Sequence, residues 1–127
     1  MQEIDGCQPG RRGRASLTVG ETDTAAHLSS GDVAVLASPR VLALAEQAAV
    51  AAVGAGLAAD QTSVGAKAEL EHTRSAFVGH TVTAQAVLIG VHGRRLAFRV
   101  TVTDDEGHEV ATVRHERAVV ARDRFAG

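Results

Sequence analysis

The chain has 127 residues, with no tryptophan, no tyrosine and only three phenylalanines: Phe77, Phe98 and Phe125. Single-stranded nucleic acid needs aromatic faces to stack on, so that class of partner is excluded. Cysteine is just as scarce. Cys7 stands alone, so no internal disulfide can form and nothing argues for an oxidising compartment. Neither sign of charge dominates: 13 Lys and Arg meet 15 Asp and Glu, for a net charge of -2. That leaves no basic footprint for nucleic acid or for an anionic membrane. The opening residues, MQEIDGCQPGRRGR, hold no apolar segment of the kind a signal peptide requires. The longest apolar stretch, Val41 to Ala59, is interrupted by Glu46 and Gln47 and does not read as a membrane span. Several chemistries lack their motifs. The six histidines are scattered, with no HxxxH pair and no Cys/His zinc spacing, so no metal is expected. No phosphate-binding glycine loop follows a strand, and there is no GxSxG elbow. The expectation that remains is a soluble, cytoplasmic, single-domain protein.

Residues 1–14 are rich in Gly, Pro and Arg and carry no periodicity, which predicts a flexible N-terminal arm. Its basic residues either stay solvated or touch an acidic partner. Arg14 to Gly20 reads as a short strand, and Glu21 to Asp32 as an irregular connection. At Ser38 a helix start is expected, with Ser38 as N-cap and Pro39 at the first helical position, where a missing N–H costs nothing. Val41, Leu42, Ala45, Ala49 and Val53 then recur at helical spacing, and Gly54 and Gly56 end the run. Alanine fills most of the remaining circumference, so the helix should be largely buried. After Asp60 the period becomes two. Val64, Ala66, Ala68 and Leu70 are predicted to face one way, and Lys67, Glu69 and Glu71 the other. Thr81 to Val91, Arg94 to Thr103 and Val110 to Ala121 read as further strands, separated by turns at His92–Gly93 and Asp104–Gly107. The expected architecture is α+β: a strand, a long buried helix, then four strands joined by hairpins, with the antiparallel sheet curled about the helix.

Polar residues interrupt this pattern at three places, and such breaks tend to mark function. Glu46 lies mid-helix among Leu42, Ala45, Ala49 and Val53. It is either a costly buried carboxylate or a residue at the helix's exposed edge. His72 keeps the parity of Val64 to Leu70 and should project toward the helix, as a satisfied core residue or as part of a site. Arg117 shares parity with Val113, His115 and Val119. It is a solvated strand residue or the third member of that site.

Taken in order, VLASPRVLALAEQAAVAAV (35–53), SVGAKAELEHT (63–73), GHTVTAQAVLIGVHGRRLAFRV (79–100) and RHERAVVARDRF (114–125) resemble the hot-dog-fold thioesterases, most closely the fluoroacetyl-CoA thioesterase type. The resemblance runs from about Thr18 to Phe125. It implies a hot-dog fold, an antiparallel sheet wrapped around one long central helix, with residues 15–127 as a single thioesterase-like domain. It implies a catalytic set at Ser38, Glu46, His72 and Arg117, with Pro39 and Gly65 binding substrate. It also implies a homodimer or dimer of dimers, acyl-CoA at the interface, and no cofactor beyond the CoA of the substrate. The match departs in one place: the family enzyme gates its acyl pocket with phenylalanines before the helix, and HLSSGDVAVLA (27–37) contains no aromatic.

On this reading the protein hydrolyses a small acyl-CoA thioester to carboxylic acid and CoA. Glu46 attacks the carbonyl or activates water, His72 handles protons or orients the thioester, Ser38 hydrogen-bonds Glu46 or the carbonyl, and Arg117 positions Glu46 or an acidic acyl group. Free N–H groups at the helix start would meet the substrate carbonyl. The alternatives are a non-catalytic acyl-CoA or small-ligand binding dimer, a hot-dog dehydratase, whose usual Asp and His close together in a short loop are not seen here, and a purely structural dimer.

Overall fold

The computed structural model describes residues 6–125, and residues 1–5 of the expected arm lie outside the described residues. Five strands and one long helix make the domain: β1 (Arg12–Thr18), α1 (Ala25–Leu28), α2 (Ser38–Val53), β2 (Gln61–His72), β3 (Thr81–His92), β4 (Arg95–Asp104) and β5 (Glu109–Ala121). The strands form one antiparallel sheet in the order β1-β3-β4-β5-β2. Period-two alternation holds best in the middle of that sheet. Val82, Ala84, Ala86 and Leu88 on β3, and Leu96, Phe98, Val100 and Val102 on β4, are all buried against α2. From α2 the buried residues are Val41, Leu44, Ala45, Ala48, Ala49, Ala52 and Val53. Each fully buried Val or Leu in this set contributes roughly 1.5–3 kcal/mol relative to leaving it in water. The alanines let the sheet approach closely: a Cβ on Gly13 of β1 would overlap the backbone of Ala48 and Ala52, so β1 lies directly on the helix.

Three expectations need correction. First, the four strands after the helix are not a chain of hairpins. β3–β4 and β4–β5 are hairpins, but β2 pairs with β5 and forms the far edge of the sheet. The chain must cross from that edge to reach β3. Alternation sees the faces of strands, not their neighbours, so it could not give this order. Second, residues 6–14 do not behave as a flexible arm. Cys7 is buried, and burial pushes its thiol pKa up. The N–H of Gly10 donates to the Leu88 carbonyl at 2.7 Å, and β1 already begins at Arg12. The Arg11 Nε donates to the Ala52 carbonyl at 2.8 Å, satisfying a carbonyl in the last turn of α2. Third, Ser38 is not the N-cap. Ala37 holds that position with no side-chain bond, and Pro39 is the second residue of the helix, one place later than expected.

The stretch before α2 is tied down at both ends. Isolated bridges join Thr24 to Leu36 and Val35 to Phe77, and Arg40 Nε contacts Asp23 Oδ1 at 3.1 Å. These bonds fix where α2 begins, and with it the position of Ser38.

One irregularity in β2 matters for the site. The pairing register with β5 shifts between Gly65 and Lys67, so Ala66 is an extra residue. Such a bulge flips parity along a strand. Val64 pairs with outward-facing Ala118, whereas Ala68, Leu70 and His72 pair with His115, Val113 and Ala111, all inward. The predicted common face of Val64, Ala66, Ala68 and Leu70 is therefore broken at its N-terminal end. His72 keeps the inward side expected of it. Before the bulge, Ser63 and Gly65 are the inward residues, paired with Val119 and Arg117.

Candidate active site

The inward-facing polar residues gather into two clusters along α2. The first stands at the start of the helix, where Ser38 Oγ lies 2.8 Å from Nδ1 of His72, the last residue of β2. The other ring nitrogen of that histidine is buried and unpaired: among the described residues, His72 Nε2 is the one buried side-chain nitrogen or oxygen without a hydrogen-bond partner. An unpaired buried polar nitrogen is costly, so its persistence marks a place where a further polar group fits. Pro39 follows Ser38 in the same turn.

Two turns further along α2 is the second cluster, around Glu46. Its Oε2 accepts from Arg117 Nη1 at 3.1 Å and lies 3.7 Å from His115 Nε2. The arginine is only 6% exposed, on the inner face of β5, so its charge has to be satisfied locally. Its Nε donates to Ser63 Oγ at 2.8 Å, Nη2 to the Ser63 carbonyl at 3.0 Å, and Nη1 also to His115 Nε2 at 3.0 Å. Four of the five guanidinium N–H groups are thus engaged, and the group has one orientation. His115 is in turn bonded through Nδ1 to the Lys67 carbonyl at 2.8 Å and stacked on Phe98, with ring centroids 6.2 Å apart. Burial is the largest influence on this imidazole and holds its pKa below the usual 6.5; the bond to Lys67 opposes that, and the Arg117 cation reinforces it.

Gly65 makes room for the pair. A Cβ there would lie 2.5 Å from Glu46 Oε2, 3.5 Å from His115 Cε1 and 3.6 Å from Arg117 Nη1. Glu46 is neither fully buried nor a free edge residue. Its side chain is 38% exposed and opens onto a shallow groove shared with Ala43, Gln47, Val50, Ala51 and Arg117. A carboxylate with one oxygen fixed by a rigid cation and with access to a groove can act on a substrate placed there.

All six residues singled out from the sequence therefore lie in these clusters, but not in one cleft of one chain. Ser38, Pro39 and His72 sit together, as do Glu46, Gly65 and Arg117. Eight residues of helix separate the two, roughly 12 Å of axial rise. Sequence reasoning missed Ser63 and gave His115 no role. The signal for His115 was its shared parity with Arg117; for Ser63 it was a position two residues before Gly65, which only the bulge makes meaningful.

Comparison with known proteins gives a consistent picture. The family model described as FlK, fluoroacetyl-CoA-specific thioesterase, matches residues 19–123. The fluoroacetyl-CoA thioesterase of Streptantibioticus cattleyicolor is 33% identical over 127 residues, covering 95% of this chain and 91% of the relative. The solved structure of a point variant of fluoroacetyl-CoA FlK in complex with acetyl-CoA superposes with a TM-score of 0.87 at 32% identity, covering 94% and 93% of the two chains. A hot-dog-like protein from Thermanaerovibrio acidaminovorans gives a TM-score of 0.85 at 27% identity, covering 100% and 99%. One long helix held against a curled five-stranded sheet is the hot-dog fold.

Proposed function

The chain belongs to the fluoroacetyl-CoA-specific thioesterase family, and from that premise we propose that it hydrolyses small acyl-CoA thioesters at a site built from Ser38, Glu46, His72 and Arg117. The observation that carries the site assignment is the Glu46 carboxylate, clamped by Arg117 and still open to a groove. Hydrolysis adds water across the C–S bond. Either the Glu46 carboxylate attacks the thioester carbonyl, the C–S bond breaks, and water then hydrolyses the resulting acyl–Glu46 anhydride, or Glu46 takes a proton from a water that attacks the carbonyl directly and the C–S bond breaks. In both cases the acyl group leaves as the carboxylic acid and the CoA thiolate takes up a proton that the water gave up. In the tautomer where Ser38 Oγ donates to His72 Nδ1, the imidazole carries its proton on Nε2, the nitrogen that has no partner among the described residues. That proton is a hydrogen-bond donor for the carbonyl oxygen as charge develops on it. Pro39 and Gly65 shape the substrate's surroundings, the first at the helix start, the second beside Glu46. CoA enters only as part of the substrate, no further cofactor is required, and the cytoplasm supplies such thioesters.

We also propose that the working unit is a homodimer or a dimer of dimers. β2 is a free sheet edge, and the exposed face of α2 beside it carries Val50 in the groove with Glu46. Unpaired edges invite pairing. Antiparallel pairing of β2 with its own copy about Glu69, with Ala66 left out of the pairing as it is against β5, sets His72 opposite the partner's Gly65. The two half-sites of one chain would then combine across the axis into two complete ones.

The test is steady-state hydrolysis of a panel of acyl-CoAs, with mass by light scattering. The expected result is turnover of a short acyl-CoA by a protein of at least two copies, and a fall in kcat of at least ~100-fold in Glu46→Gln with little change in KM. Tight binding without turnover of any thioester would instead favour a non-catalytic acyl-CoA binding dimer.

A further inference from the structure

Two residues before Arg117 on β5 stands a second residue whose geometry is as constrained. His115 is 3% exposed and reached by groups from several elements. The Lys67 carbonyl of β2 is 2.8 Å from Nδ1, the Phe98 ring of β4 stacks on its face, and Arg117 Nη1 of its own strand is 3.0 Å from Nε2. Its other charged neighbours are Glu46 from α2, 3.7 Å from Nε2, and Glu116 on β5.

These contacts leave one protonation state. A carbonyl oxygen only accepts, so Nδ1 must carry a hydrogen. A guanidinium only donates, so Nε2 must offer a lone pair. His115 is therefore neutral, in the Nδ1–H tautomer, and it cannot donate to Glu46 despite the 3.7 Å approach. Arg117 Nη1 has two hydrogens, and Glu46 and His115 take one each. Burial disfavours the imidazolium, in agreement with this geometry. The Lys67 carbonyl reaches Nδ1 beside the shifted pairing register at Gly65–Lys67, so the bulge and the histidine belong to one device.

We infer that His115 is a positioning residue: kept neutral as the Nδ1–H tautomer, it holds Arg117 with its Nε2 lone pair and so fixes the Glu46 carboxylate for catalysis. This inference rests on the thioesterase reading for its kinetic consequence. It does not rest on that reading for the state of the ring.

Two substitutions separate positioning from packing. His115→Asn keeps an N–H where Nδ1 was and offers Arg117 nothing; His115→Gln places an amide oxygen where Nε2 was and keeps the acceptor. Both lose the stacking on Phe98, so the packing loss is shared. With acetyl-CoA as substrate, His115→Asn is expected to lower kcat at least ~10-fold with KM within about twofold of wild type, the order set by one hydrogen bond to a charged group. His115→Gln is expected to recover most of that loss. Nitrogen-15 spectra of the wild-type ring should show a neutral, Nδ1-protonated imidazole at pH 7, and the Arg117 guanidinium should lose its restricted rotation in His115→Asn but keep it in His115→Gln. Equal kcat in the two variants, or an Nε2–H tautomer, or an imidazolium, overturns the inference. If the wild-type protein hydrolyses no acyl-CoA, the thioesterase reading fails, while the ring and guanidinium spectra still decide whether His115 fixes Arg117.

Discussion

Gly65→Ala adds one methyl group at the point where β2 faces Glu46. The glycine does not occupy the left-handed region of backbone conformation, so alanine imposes no backbone strain. Its Cβ would lie 2.5 Å from Glu46 Oε2, about 1 Å closer than ordinary contact, whereas the distances of 3.5 Å to His115 Cε1 and 3.6 Å to Arg117 Nη1 are acceptable. The group that must yield is thus the far end of a flexible side chain. Glu46 is 38% exposed and can swing into its groove, which costs the fold little but breaks the 3.1 Å contact with Arg117. A hydrogen bond between charged groups is worth about 1.5–3 kcal/mol, and partial exposure argues for the lower end. If that orientation serves catalysis, about 1.5 kcal/mol corresponds to roughly a 10-fold loss in kcat. Stability moves the other way, since alanine in a strand gains roughly 0.5–1 kcal/mol over glycine and offsets part of the lost ion pair. The expected result is a kcat for acetyl-CoA hydrolysis reduced ~10-fold and a Tm within ~4 °C of wild type. Free thiol release and a thermal melt measure the two. Undiminished kcat would show that the Glu46–Arg117 contact is not needed for turnover. A collapse of Tm would show that the backbone, rather than the carboxylate, absorbs the methyl group.

Two further outcomes follow from the same geometry. Ser38→Ala removes the hydroxyl that meets His72 Nδ1, leaving both ring nitrogens without a hydrogen bond from the described residues; the expected loss in acetyl-CoA turnover is ~10-fold, larger than any change in Tm would explain, and full activity in the purified variant would remove Ser38 from the site. Because burial holds the His115 pKa below 6.5, the unfolded chain takes up this proton before the folded one does, so stability is complete above about pH 6.5 and declines as the pH falls through that value toward the lower folded pKa. Melts between pH 7 and pH 5 should therefore show the Tm advantage of wild type over His115→Gln narrowing toward the acid side, and a gap that stays constant would contradict a neutral, buried His115.

Much of this protein was legible one residue at a time. Spacing of three and four placed α2 correctly, because an alanine-rich run with Pro39 at its start has few other ways to satisfy its backbone. Period two located β3, β4 and β5, whose inner faces are apolar apart from His115 and Arg117, and it set Arg117 on the inner side of β5. The resemblance grouped Ser38, Glu46, His72 and Arg117 as one set, and the chain brings Ser38 to His72 and Glu46 to Arg117 in two separate clusters. Each of these signals is local: a side chain's face follows from its own element's repeat. What the sequence could not decide was everything that depends on partners far along the chain. Nothing in residues 61–72 says that they pair with β5 and not β3, or that Ala66 is a bulged residue that turns Ser63 and Gly65 inward. The hydroxyl of Ser38 looked like a helix cap because capping needs only its own turn; in the folded protein it serves His72, 34 positions away. The packed ends of residues 6–14 were unreadable for the same reason, since Gly10 and Arg11 are ordered by Leu88 and Ala52 and not by their neighbours. His115 is the sharpest case. Its identity and parity were plain in the sequence, but its tautomer was decided only by tertiary structure, which brings a carbonyl to one nitrogen and a guanidinium to the other.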